Sequence, residues 1–522
     1  MSQVCTVKIA GPAGTGIKSS GLLLSQILLH HGFNIRDYSE YPSLVRGGHN
    51  TYQVSFSLGE IFAPHQKIDL FFALQPHHWQ QHQQEFDQKS LVFAPDSTLT
   101  LPLGELATQI GGPLYINTLC LGVAAYVLNL DQKTCLKIIN HQFGSGSPNL
   151  KAFKTGFTYA SQNFSGQKLL TCKSKIIRPK SCIYDGNESF AWGFIQGGGS
   201  FYAAYPMTPA SGVLHFLAAK QSEYNLKVIH PEDEIAAASL AAGAAFVDGR
   251  SATGTSGGGF ALMTETVSFC GVANLGVVFY LASRPGPATG LPTWTSQGDL
   301  LFAVHSGHGE FSKIVLAPGD QAESFSLSGT ALNLAAQFNV PVIVLSDKFI
   351  SESSASLPDL SKAKLKIIKS TLGLRFANSY EHDDQGFSIE DAALVKTQVE
   401  KRLSLTSKIL KVVPKPTFYF GSKNSKTLVV SWGSVKSSIQ EALKIKNDPD
   451  VAHVHFRTLW PLDQKIEHLF KSFKKIIVVE NNATSQLTTL LKSQFNFKPD
   501  KIILKYDGRP FFPEELIEKL WT

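Results

Sequence analysis

Leu275–Ala282 reads Leu-Gly-Val-Val-Phe-Tyr-Leu-Ala, a short run that is apolar on both faces a strand would present. Such a strand must be covered on each side, which is the condition of a parallel sheet flanked by helices. Ser283-Arg-Pro-Gly-Pro287 follows at once. An arginine therefore stands just past the carboxyl end of a central strand, where open α/β sheets bind ligands. Prolines on either side of Gly286 stiffen its loop. The planar fork of Arg284 suits a carboxylate; an ion pair at a subunit contact is the plain alternative.

Other motifs gather around this strand. Tyr205-Pro-Met-Thr-Pro-Ala-Ser211 has two prolines flanking Met-Thr, which fix an extended turn and hold Thr208 rigidly. Ser211 is a candidate cap for the next helix. Pro231 to Val247 reads as a helix, with proline near its first position, acids in its first turn, many alanines and Gly249 as a stop. On the plain reading, Glu232, Asp233 and Glu234 complement the helix dipole. Thr255-Ser-Gly-Gly-Gly259 permits close backbone approach to a ring or another chain. The helix after it is expected from near Phe260, with Glu265 as a solvated or interface charge. Gln297–Asp299 reads as packing. His305 and His308 read as hydrogen-bonding or surface residues. Val340–Ser346, a further apolar strand, and Asp347 close the region.

In this order, Tyr205–Ser211, Pro231–Ala237, Thr255–Glu265 and Ser283–Thr293 resemble the thiamine-pyrimidine domain of 2-oxoacid:ferredoxin oxidoreductases, in the α subunit. The resemblance implies a thiamine diphosphate site shared with a β subunit. It gives Glu234 the role of hydrogen-bonding the aminopyrimidine N1′ and so activating the thiazolium C2, with Glu232 as the fallback. Pro206 is implied on the cofactor side. Arg284, Thr208 and Thr293 are implied around the 2-oxoacid. Coenzyme A is the implied cosubstrate, and ferredoxin the implied acceptor.

The flanking regions extend the likeness. Val4–Ala10 alternates as a first strand, Gly11-Pro-Ala-Gly-Thr-Gly16 forms a turn, and Ile17 to His31 forms a helix closed by Gly32. That arrangement can hold an anion on free backbone amides, although neither the dinucleotide nor the Walker spacing is met. A tight turn is the plain alternative. Tyr41–Asn50, with Arg-Gly-Gly at 46–48, precedes a strand at Thr51–Leu58. Together these resemble the γ domain of the same family, fused ahead of the α chain. Arg46 is a candidate for an anionic group or a structural ion pair. Strands at Thr427–Ser431, Val451–Phe456 and Lys475–Glu480 alternate with helices. With Leu459-Trp-Pro-Leu462 and Tyr506–Pro510, they resemble the transketolase C-terminal-type domain. Glu381–Gly386 looks like a family segment of structural or interfacial use.

The expected fold class is α/β and multidomain. A γ-type domain at 1–165 precedes a linker at 166–187. The pyrimidine-binding domain, a doubly wound parallel sheet, spans 188–365. A linker segment covers 366–426, and a transketolase C-terminal-like domain covers 427–522.

What the chain lacks shapes the expected assembly. Gly-Asp-Gly, the start of the diphosphate and Mg²⁺ motif in thiamine enzymes, does not occur in it. Its six cysteines are Cys5, Cys120, Cys135, Cys172, Cys182 and Cys270, with no Cys-x-x-Cys pair to hold a cluster. The resemblance implies that Mg²⁺ and the [4Fe-4S] cluster belong to the β subunit. Scattered thiols suit the cytoplasm. The Met-Ser-Gln-Val start lacks a basic n-region, and no apolar run suits a membrane span. The net charge of +7 is scattered, which suits acidic partners such as a ferredoxin and leaves no nucleic-acid footprint.

The resemblance thus implies thiamine-dependent oxidative decarboxylation of a 2-oxoacid to acyl-CoA and CO₂, with electrons passed to ferredoxin. The γα fusion and the Pro287–Thr293 loop favour 2-oxoglutarate over pyruvate or other oxoacids. A non-catalytic assembly subunit is the alternative, and a nucleotide-binding protein using Gly11–Gly16 is a third reading.

Overall fold

The computed structural model describes residues 3–44, 47–97, 99–169, 180–370 and 378–522. Arg46 and Cys172 lie outside them. The chain divides into two compact units.

The first unit holds the residues up to Tyr184, with Ser353–Asp359 and Phe512–Glu514. Its strand Cys5–Ala13 lies between Gly47–Ser57, antiparallel, and Leu70–Ala73, parallel. Asn34–Glu40 continues the sheet beyond Gly47–Ser57, and Ser354–Pro358 and Ser181–Asp185 complete that side. The sheet is therefore mixed. The helix Ile17–His30 buries Leu23, Leu24, Ile27 and Leu28 in the same core as Val7 and Ile9 of the first strand. Gly14 and Gly16 both take a left-handed φ of 84°, a conformation that glycine reaches without a Cβ penalty.

The second unit contains the central sheet. Its strands run in the order Thr458–Trp460, Ile314–Leu316, Val342–Asp347, Val277–Ser283, Ser251–Thr255, Phe201–Ala203, Lys227–Ile229. All are parallel except the first, which pairs antiparallel with Ile314–Leu316. Val277–Ser283 is buried at every position, as an apolar run without alternation requires. A further sheet, Thr417–Phe420, Val451–Phe456, Thr427–Trp432, Lys475–Glu480, Lys501–Leu504, is parallel apart from its first strand. One apolar cluster joins Val277, Phe279 and Leu281 to Leu428, Val430, Val454 and Val478, so both sheets share a core.

Several local expectations are corrected. The segment read as a linker at 166–187 contains the strand Ser181–Asp185, and Asp185 then caps the helix Gly186–Gln196 in a capping box with Glu188. The segment read as a linker at 366–426 carries the helix Ala392–Ile409, capped by Asp391, and the strand Thr417–Phe420. Ile409 and Val413 anchor it in the central core. Ser354–Pro358 sits in the N-terminal sheet, not with the central sheet to which its sequence position assigned it. The helix expected from Pro231 begins at Glu234, because Asp233 takes the cap. The reversal at its end falls on Asp248, φ 62°, one residue before Gly249. Ser211 is the first residue of Ser211–Tyr224 and caps nothing; Ala210 occupies that position.

Candidate functional site

The carboxyl ends of the central strands carry the motifs. Phe201–Ala203 leads toward Pro206, Ser251–Thr255 into Ser256, and Val277–Ser283 into Arg284.

The acidic triplet separates by geometry. Glu232 is exposed, and Asp233 spends its carboxylate accepting the Ala236 amide at 2.8 Å. Glu234, the first residue of the helix Glu234–Phe246, is turned inward and is 5% exposed. Its Oε1 is buried and has no hydrogen-bond partner. The hydroxyls of Thr253, Thr255 and Ser256 are buried without partners as well. Each such group costs about 1–3 kcal/mol in desolvation. A polar ligand relieves such groups, and the unpartnered Glu234 carboxyl is the observation that the chemistry of the site must answer.

The glycine triplet has a specific cause. The helix Gly257–Val272 begins at Gly257, three residues ahead of the expected Phe260. A Cβ on Gly259 would lie 2.7 Å from Oε1 of Glu234, and nearer still to the Thr255 hydroxyl. A Cβ on Gly257 would lie 2.7 Å from Oδ2 of Asp299. On Gly258 the nearest atom is the Ala288 carbonyl oxygen at 3.9 Å. Two of the three glycines are thus required, Gly257 by the Asp299 carboxylate and Gly259 by the Thr255 hydroxyl and the Glu234 carboxylate together.

Arg284 and Thr208 are brought together. Nη1 of Arg284 donates to the Thr208 carbonyl at 2.8 Å, so the contact uses the backbone of the turn and not the hydroxyl. The turn is itself pinned. Asn187 donates from Nδ2 to the Pro209 carbonyl at 2.8 Å and accepts from the Tyr280 hydroxyl at 3.1 Å. Partial burial holds the Arg284 guanidinium below its usual pKa, and the charge of Asp299 works against that shift. Burial raises the Asp299 carboxyl; the Ser283 hydroxyl and Arg284 pull it back. Thr293 is 4% exposed, and Pro206 is partly buried beside exposed Tyr205.

Sequence reasoning missed Asp299 and Gln297, both read as packing. Gln297 is fully buried; it donates to the Trp432 carbonyl at 2.8 Å and accepts from the Asn481 amide at 2.7 Å. The available signal was local: Gln-Gly-Asp closes the loop that Arg284 opens. His305 and His308 are exposed. Glu381 pairs with Arg402 at 3.1 and 2.9 Å. Among the described residues no group of three or more His, Cys, Asp or Glu could hold a metal ion, and no helix is long and apolar enough to cross a membrane. In the first unit, the glycine turn borders a cavity of about 330 Å³ lined by Gly14, Gly16, Lys18 and Thr51 among others.

Comparisons with known proteins agree along the whole chain. A family described as pyruvate flavodoxin/ferredoxin oxidoreductase, thiamine diphosphate-binding, matches residues 193–409. Another, pyruvate ferredoxin/flavodoxin oxidoreductase, matches residues 6–159. The α subunit of 2-oxoacid:ferredoxin oxidoreductase 1 from Aeropyrum pernix is 31% identical over 446 residues, covering 77% of this chain and 70% of that one. The 2-oxoacid:ferredoxin oxidoreductase α subunit of a Sulfolobus species is 28% identical over 611 residues, covering 98% and 96%. Among solved structures, 2-oxoglutarate:ferredoxin oxidoreductase from Magnetococcus marinus, with 2-oxoglutarate, coenzyme A and succinyl-CoA bound, has the same fold. Its TM-score is 0.92 at 24% identity, over 100% of this chain and 99% of that one.

Proposed function

Because the chain belongs to the α-subunit family of the thiamine-dependent 2-oxoacid:ferredoxin oxidoreductases, we propose that it carries the aminopyrimidine side of the cofactor site and the oxoacid-carboxylate site. The buried, unpartnered Oε1 of Glu234 carries this reading. A carboxyl group in that position fits a heteroaromatic ring nitrogen, which offers the hydrogen-bond partner the protein withholds. Gly259 leaves the carboxyl room, and the unpartnered Thr255 hydroxyl beside it fits a polar ring.

Thiamine diphosphate, when bound, supplies the carbon nucleophile for the keto carbon and takes up the electrons released as CO₂ leaves. This chain's residues position and polarise. Glu234 holds a proton at the ring nitrogen. Pro206 belongs to the stiff turn on the cofactor side. Arg284 offers its guanidinium donors to the oxoacid carboxylate, with Thr208 and Thr293 on the same pocket. The chain has no Gly-Asp-Gly and no paired cysteines, which supports a β subunit that holds the diphosphate, Mg²⁺ and a [4Fe-4S] cluster. Ferredoxin receives the electrons and coenzyme A the acyl group, with 2-oxoglutarate the favoured substrate and the cytoplasm the favoured compartment.

The test is anaerobic reconstitution with the β subunit. The wild-type complex is expected to contain thiamine diphosphate and iron and to reduce ferredoxin in an oxoacid- and coenzyme A-dependent way. Glu234→Gln is expected to assemble and to lose that activity. Full activity in Glu234→Gln would overturn the assignment.

A further inference from the structure

Two consecutive carbonyls of the Tyr205–Ser211 turn are held by side chains from outside it. Arg284 bonds that of Thr208, and Asn187 bonds that of Pro209, each at 2.8 Å. The turn's own backbone bonds run instead to Met207, whose carbonyl accepts the amides of Ala210 and Ser211 at 2.8 and 3.1 Å. Asn187 comes from a different element, the second residue of the helix Gly186–Gln196.

The contact is built from three sides. Asn187 is buried, and both ends of its amide are used. A carbonyl can only accept, so the group facing Pro209 is the Nδ2 amine; Oδ1 is left to accept the Tyr280 hydroxyl at 3.1 Å. With its proton on Asn187, that hydroxyl accepts from Oγ of Ser351 at 2.8 Å. Tyr280 is fully buried on Val277–Ser283, the strand that ends at Arg284. One strand thus reaches the turn twice, directly through Arg284 and by way of Asn187 through Tyr280. Gly212, in the first turn of Ser211–Tyr224, makes the room. A Cβ there would lie 2.7 Å from Nδ2 of Asn187 and 3.0 Å from its Cβ. Alanine is the better helix former, and the Asn187 side chain occupies the space it would need.

The geometry points to Asn187 as a positioning residue for the oxoacid site. Its amide, oriented by Tyr280, fixes the Pro209 carbonyl, and with it the turn that offers Thr208 to the oxoacid and the Thr208 carbonyl to Arg284. This rests on the reading of Arg284 and Thr208 as the oxoacid pocket. The prolines stiffen the turn internally but do not fix where it lies against the central strand; the two side-chain bonds do. Without the Asn187 bond, Arg284 alone holds the turn, and one guanidinium must anchor a moving backbone while it binds a carboxylate. The gain of a preorganised fork is then reduced.

The experiment measures KM for 2-oxoglutarate, and the competitive Ki of glutarate, a dicarboxylate without the keto group, on the reconstituted αβ complex. In Asn187→Ala both are expected to rise together by about fivefold or more, with kcat changed by no more than about threefold. Tyr280→Phe removes only the hydroxyl that orients the amide, and is expected to act in the same direction by a smaller factor. Combined with Asn187→Ala it is expected to add nothing, because both changes break one chain of bonds. Gly212→Ala displaces the amide without altering its chemistry. It is expected to raise KM as well, and it answers the question if Asn187→Ala does not assemble. An unchanged KM in Asn187→Ala would overturn the proposal. So would a double variant in which the two effects multiply, or an unchanged KM in Gly212→Ala when Asn187→Ala cannot be made. A normal KM in Arg284→Lys would instead overturn the reading of the oxoacid pocket itself.

Discussion

Glu234 and Gly259 occupy one space: a Cβ added to the glycine would sit 2.7 Å from the carboxylate oxygen that has no partner. The glycine is required by the acid and by the Thr255 hydroxyl, which lies nearer still, and the arrangement yields a direct prediction. Gly259→Ala must displace Glu234 or the Thr255 hydroxyl. Overpacking of this kind costs about 1–3 kcal/mol, offset by up to ~1 kcal/mol from the better helix propensity of alanine. A melting temperature within a few degrees of wild type is expected, with turnover of the complex down by about tenfold or more. Gly258→Ala, where the nearest atom is 3.9 Å away, is the control and is expected to leave both unchanged. Calorimetry and oxoacid-dependent ferredoxin reduction read the two effects.

Arg284 donates to the Thr208 carbonyl from one corner of its fork. Arg284→Lys keeps the charge but not the planar geometry, so ground-state recognition of a carboxylate weakens. KM for the oxoacid is expected to rise by about tenfold or more, equivalent to ~1.4 kcal/mol, with a smaller change in kcat. Steady-state kinetics at saturating coenzyme A provides the check.

Gln297 locks the loop that carries Thr293 and Asp299 onto the C-terminal sheet. Gln297→Leu leaves the Trp432 carbonyl and the Asn481 amide without their partner in a fully buried place. The expected loss is about 2–6 kcal/mol, from two backbone groups at ~1–3 kcal/mol each. Urea denaturation of the chain should show a lower midpoint with an unchanged slope.

His453 and His455 are fully buried, and both bond the Ser431 hydroxyl, at 2.8 and 3.1 Å. Burial lowers the pKa of each, helped by His455 for the first and by Lys436 for the second, so both stay neutral in the fold. In the N-terminal unit burial, with His82 and His78 beside it, lowers His49 to about 4. Folded pKa values below the unfolded one mean that the unfolded chain binds more protons as pH falls. The stability from these neutral rings is therefore complete above about pH 6.5 and is lost progressively below it. Denaturation midpoints are expected to fall between pH 7.5 and 5.5, and less steeply in His455→Asn. A flat profile over that range would contradict the account.

The central strand and the arginine at its end were legible because burial on both faces removes alternation and leaves a continuous apolar run. Glu234 was legible through its motif, and the fold then separated it from Glu232 and Asp233 by exposure and capping. Other features were not legible, for reasons of distance in sequence. Thr458–Trp460 joins the central sheet and Ser354–Pro358 the N-terminal one, and nothing in a short polar or aromatic strand encodes a partner far along the chain. The helix Ala392–Ile409 looked like a linker because only Ile409 on it is buried, so its apolar residues mark no continuous packed face. Asp299 looked like packing because its partners, Ser283 and Gly257, come from other elements.

The central claim is that Glu234 serves the cofactor's aminopyrimidine ring. Exchange of the thiazolium C2 proton for deuterium in the reconstituted complex, without oxoacid, reads that role apart from every later step. In Glu234→Gln the account predicts normal thiamine diphosphate content and exchange slowed by about 10²-fold or more, the size of a lost acid–base contribution. Exchange at the wild-type rate with full cofactor content would contradict it.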